Sequence, residues 1–163
     1  YYRVRAKNAA GSSAPSDVVG PVRAEGRTIV DELINFSLTH SRSSGPVSLA
    51  SKDARPYKED AHRVKGRDEV WVAYRVRGPL RYAKVLAFME GAGERALEFY
   101  VSPDGVTYTR AEVSATRFPT AVNPYGYKLP VRYELTSAAP GSRFLKIVFR
   151  DEAQISRVEL RHE

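Results

Sequence analysis

The 163-residue chain has no cysteine, which excludes thiolate catalysis, disulfide staples and cysteine-ligated zinc. That absence fits a reducing compartment and an exported protein equally well. No apolar run approaches the ~20 residues that cross a bilayer, so membrane insertion is not expected. Histidine is scarce, and His40, His62 and His162 lie far apart, in no metal-ligand pattern. The chain also has no Gly-x-Ser-x-Gly elbow and no phosphate-binding glycine loop. Two acids meeting in space could still hydrolyse a glycoside, but nothing in the sequence pairs them. The reading is therefore of a non-catalytic protein.

Hydrophobic residues make up 42% of the chain and charged residues 28%, which are globular values and exclude disorder. The net charge is +7, but residues 1–24 supply Arg3, Arg5, Lys7 and Arg23 against Asp17 alone. Residues 25–163 are left with 22 basic and 18 acidic side chains. Charges so interleaved form a solvated surface, and without a nucleic-acid motif they do not point to a nucleic-acid partner.

Period-two alternation organises the rest. Val70–Val76 alternates Val70, Val72, Tyr74 and Val76 against Trp71, Ala73 and Arg75, a strand with one apolar face. Tyr82–Met89 is apolar on both faces apart from Lys84 and reads as a central strand packed on two sides. Ala96–Val101 and Val106–Val113 flank Ser102-Pro103-Asp104-Gly105, a hairpin signal. Val131–Thr136, Phe144–Phe149 and Ile155–Arg161 add three strands, with Pro140-Gly141 as a turn. Apolar residues at 29, 30, 33, 34 and 36, with Asp31 near the start, predict a helical turn or two. Residues 39–69 read as a long polar loop, the length of which marks it as functional or irregular. The fold class expected is all-β, an antiparallel β-sandwich.

Residues 1–24, with Tyr2-x-Val4-x-Ala6-x-Asn8-x-x-Gly11 and then Ser16-Asp17-Val18-Val19, resemble the last hairpin of a fibronectin type III domain. Residues 25–163 then form the second unit. It carries Val30-Asp31-Glu32-Leu33 and Phe36-Ser37 before His40-Ser41, then Glu59-Asp60-Ala61-His62-Arg63, Phe99–Tyr108, Pro140–Phe149 and Gln154–Leu160. In this order they resemble accessory modules of bacterial polysaccharide-degrading enzymes, with a galactose-binding-like (discoidin-like) jelly-roll sandwich. The resemblance implies a secreted, extracellular module that binds a polysaccharide and is joined in cis to a parent catalytic domain, a glycoside hydrolase or polysaccharide lyase. A structural domain that packs on that catalytic domain without binding glycan is the alternative.

Sugars are held by aromatic rings on their C–H faces and by polar groups that select hydroxyls. Phe118–Lys128 offers Asn123, Tyr125, Tyr127 and Lys128 among turn formers; the tyrosines either stack on sugar or cap the sandwich end. Tyr57, with Lys58 beside it, is a second candidate. Trp71, the only tryptophan, either forms an outward platform or is covered by a loop. Lys52, Arg55, Lys58, Lys65 and Arg67 suit an acidic glycan, while Arg63 reads as structural, pairing with an acid such as Asp60 or Asp68. The resemblance also implies a structural calcium, for which Asp53, Asp60 and Glu159 are the candidate ligands. Val4, Ala6, Val18 and Val19 of the N-terminal hairpin, lacking their sheet, are expected to stay exposed or to dock on an edge.

Overall fold

A computed structural model describes residues 4–9, 11–17, 26–89, 96–119 and 126–163. Fourteen strands occur among them. The first six are β1 (Lys7–Asn8), β2 (Gly11–Ser12), β3 (Arg27–Asp31), β4 (Ser41–Arg42), β5 (Ser48–Ala50) and β6 (Arg63–Gly66). They continue with β7 (Trp71–Arg75), β8 (Leu80–Met89), β9 (Leu97–Ser102) and β10 (Thr109–Arg110). The last are β11 (Ser114–Arg117), β12 (Leu129–Leu135), β13 (Phe144–Phe149) and β14 (Ala153–His162). A single 3-10 turn, Arg55–Tyr57, is the only helical element among the described residues.

Alternation builds the layers. A five-stranded antiparallel sheet runs β10-β9-β13-β7-β4, and a seven-stranded one runs β11-β12-β8-β14-β6-β5, with β3 also on β14. Val72, Tyr74, Phe99, Val101, Leu145, Ile147 and Phe149 of the first sheet meet Ala83, Val85, Ala87, Val131, Tyr133 and Leu160 of the second in one buried core. The protein is thus an all-β antiparallel sandwich. Within β14 the pairing to β8 shifts between Ile155 and Arg157. This bulge changes the parity of the strand, so that Ala153 and Ile155 before it and Val158 and Leu160 after it are all buried.

Four sequence expectations need correction. Residues 27–31 are a strand, because the far edge of the ten-residue β14 is covered by β6 only over Ala153–Ile155. Val158–His162 pairs there with Asp31–Arg27. Asp31 does not start a helix: buried, it accepts hydrogen bonds from the Leu33 amide (2.9 Å) and the Tyr74 hydroxyl (3.0 Å). Residues 39–69 are not one loop but hold β4, β5, the 3-10 turn and β6, which extend both sheets at their edges. β8 is central, yet its outer face is only partly covered, with Tyr82, Lys84 and Leu86 half-buried.

The hairpin forms at the expected place but with a longer loop and a second strand of only Thr109–Arg110, because Asp104 Oδ1 accepts from the amides of Val106 (2.8 Å) and Thr107 (2.9 Å) and the Ser102 hydroxyl accepts from the Gly105 amide (2.8 Å), which holds 102–107 as a loop. Gly105 takes a left-handed φ of 79° under the Phe144 ring, where a Cβ would lie 2.9 Å from a ring carbon. In the N-terminal segment β1 and β2 form a tight hairpin, Lys7 opposite Ser12 and Asn8 opposite Gly11. Val4 and Ala6 are exposed there; Val18 and Val19 lie outside the described residues.

Candidate functional site

The segment 52–66 is held by one buried arginine. Arg63, at the start of β6, donates from Nε to Gln154 Oε1 (2.8 Å), from Nη2 to the Lys52 carbonyl (2.7 Å) and from Nη1 to the Asp60 carbonyl. It is structural as expected, but its partners are neutral oxygens; the acid it meets, Asp60, offers its backbone carbonyl. Gln154 passes the network on, its Nε2 donating to the Tyr57 hydroxyl (2.6 Å). The Arg63 guanidinium lies 4.1 Å from the Tyr57 ring centroid, and Phe88 meets the same ring edge-on at 5.4 Å.

Tyr57 is consequently 7% exposed, and its ring is not the open stacking platform that its sequence context suggests. Its flanks point to the candidate site instead. A cavity of about 380 Å³ is bordered by Leu49, Lys52, Asp53, Tyr57, Lys65 and Gln154. Beyond Tyr57 the chain reverses through Lys58 and Glu59, both left-handed (φ 54° and 66°), with the Asp60 amide donating to the Tyr57 carbonyl (3.1 Å). Turns of this primed kind favour Asn-Gly, so Lys-Glu carries some backbone strain here. The turn aims Lys58 Nζ at the face of Tyr127, 4.7 Å from its centroid, while the Lys128 amide donates to the Pro56 carbonyl (2.8 Å). Two candidates 69 positions apart, Lys58 and Tyr127, thus form one cation–aromatic pair. Asn123 and Tyr125 lie outside the described residues.

The acids expected to hold calcium are not brought together. Asp53 borders the cavity and Asp60 is tied to Arg63 through its carbonyl. Glu159 points from β14 into an ion network, Lys84 Nζ at 2.7 Å from Oε2 and Arg157 Nε at 2.7 Å from Oε1. Burial raises the Glu159 pKa, but hydrogen bonds from Lys84 and Arg157, with their charges, outweigh it and leave the carboxyl below its ordinary value. Both oxygens already face cations, so this set does not fit calcium. Among the described residues no three His, Asp or Glu side chains gather for a metal. The basic loop is also partly spent: Lys65 pairs with Glu152 (2.6 Å) and Arg67 with Asp68 (3.3 Å).

A second cluster lies on the outer face of the five-stranded sheet. Trp71 and Ala73 of β7, Lys146 and Val148 of β13, and Glu98 and Tyr100 of β9 alternate with core residues and point away from it. Lys146 Nζ sits 3.8 Å from the Tyr108 centroid, 5.6 Å from Trp71 and 5.9 Å from Tyr100. Trp71 points away from the core and is half-buried, neither fully covered nor an open platform. Tyr100, Tyr108 and Lys146 were not singled out by the sequence reading, although a lone lysine in the apolar run Phe144–Phe149 was a visible signal. The sequence matches no protein-family model and no curated protein.

Proposed function

We propose that this protein is a non-catalytic polysaccharide-binding module that holds a parent glycan-degrading enzyme on its substrate outside the cell. The observation that carries the reading is the Lys58–Tyr127 pair beside the Tyr57 cavity. An aromatic ring and an ammonium group meet there, and Tyr57, next to Lys58 in the chain, borders a cavity with Lys52 and Asp53; stacking and charged hydrogen-bonding groups are what a sugar ring and its hydroxyls need. Tethering of this kind raises the local concentration of substrate and requires no reacting group in the module.

Calorimetric titration of the whole chain with oligosaccharides tests the loop site. Tyr127→Ala and Lys58→Ala are each expected to weaken binding about ten-fold, equivalent to ~1.4 kcal/mol, with unfolding midpoints unchanged. Unaltered affinity in both variants removes this site.

One observation favours the structural alternative. Val30, Ile34 and Leu38 are 38%, 63% and 48% exposed within one nine-residue segment, an apolar surface that a neighbouring domain would cover. Its mark is saturable binding of the parent catalytic domain together with no binding of any glycan.

A further inference from the structure

The outer face of the five-stranded sheet has a charge pattern that packing alone does not require. Glu98 is matched by Arg150 Nε (2.6 Å) and Arg110 Nη2 (3.1 Å), and it also accepts from the Tyr100 hydroxyl (2.8 Å). Arg150 additionally meets Glu69. Glu98 and Glu69 are therefore answered by cations, while Asp104, whose charge reaches Tyr108, is held by the Val106 and Thr107 amides and the Ser102 hydroxyl. Lys146 is the exception in the other direction: its Nζ is ringed by Tyr108, Trp71 and Tyr100 and meets no carboxylate among the described residues. Burial alone lowers its pKa from the ordinary lysine value. A lysine with only a folding role would more economically pair with an acid or reach water.

The geometry points to a second glycan site on this sheet face, one that takes a carboxylate-bearing sugar such as a uronate, with Lys146 binding the carboxylate and Trp71 and Tyr108 lying against the ring's C–H face. Charge complementarity selects this occupant. A neutral sugar leaves the ammonium without a counter-charge, whereas a uronate supplies the one anion that the patch lacks. The aromatic rings are half-buried and fixed on strands or directly beside one, so little side-chain freedom is lost on binding. The inference rests on the glycan-binding reading for its ligand class but not on the loop site.

Trp71 is the only tryptophan, so its fluorescence reports this face specifically. The full chain is titrated with a galacturonate oligosaccharide and with a neutral cellulose oligosaccharide, by emission and by calorimetry in parallel. A saturable change in Trp71 emission with the uronate is expected, weakened about ten-fold or more by Lys146→Met or Tyr108→Ala. Lys146→Arg should retain much of the affinity. Calorimetric binding with silent Trp71 emission, or with affinity unaltered in Lys146→Met, overturns the sheet-face site while leaving the loop site standing. An equal response to the neutral oligosaccharide overturns the role of Lys146. Absence of any glycan binding overturns both readings.

Discussion

Arg63 shows how one side chain can fix a loop. Its guanidinium satisfies the carbonyls of Lys52 and Asp60 and the Gln154 amide, and it packs on Tyr57. Arg63→Met keeps much of the volume but strands these acceptors in a buried setting, at a cost of about 1–3 kcal/mol for an orphaned group. We expect a loss of roughly 3 kcal/mol in urea unfolding, with faster amide exchange across residues 52–60. A loss below about 1 kcal/mol would contradict the role given to this arginine. Asp31 makes a parallel case: Asp31→Ala orphans the Tyr74 hydroxyl and the Leu33 amide. The expected cost is about 2 kcal/mol, and Tyr74→Phe in the same background should recover part of it. Additive losses in the double variant would show that the two groups do not act together.

Among the elements, Glu159 provides a pH test. Its folded pKa is depressed because cations of β8 and β14 hold the charged form against the effect of burial. A depressed carboxyl adds stability that is present above the unfolded value, about 4.3, and is lost as pH falls through the lower folded value. Stability should therefore decline between about pH 5 and pH 3, less steeply in Glu159→Gln; an identical slope in that variant would contradict the network. Strand 129–135 was legible from its alternation, and 144–149 and 153–162 from short apolar, β-branched-rich runs bounded by turn signals. β3 was not, since its apolar spacing suits a helical turn and only the uncovered edge of β14 makes it a strand. The turns at Lys58-Glu59 and Asp68-Glu69 were hidden for a different reason. All four residues are left-handed, yet neither pair carries the Asn or Gly by which such turns are recognised.

For the whole molecule, the sandwich carries the two proposed binding surfaces, the loop cluster around Tyr57 and the outer sheet face around Lys146. Legibility of the sites follows the same physics. Lys58 and Tyr127 stood out as a cation and an aromatic among turn formers, but their meeting depends on the 3-10 turn. The inward turn of Tyr57 is decided by Arg63, six positions on, and by Phe88, 31 positions on, contacts that the local sequence does not reveal. Alternation set Trp71 opposite the apolar face but left open whether a loop covers it, whereas Lys146 beside Tyr100 follows only from the β13–β9 register. If both surfaces engage one polymer, the second contact becomes intramolecular and avidity exceeds either affinity. A variant with Lys58→Ala and Lys146→Met together should then lose more than either single variant alone. The most direct measurement is affinity electrophoresis of the complete chain through gels containing a uronate polysaccharide, a neutral polysaccharide or none. The account predicts retarded migration in the uronate gel that rises with polysaccharide concentration. Unchanged migration in every gel would contradict glycan binding and leave the packing domain as the role of this sandwich.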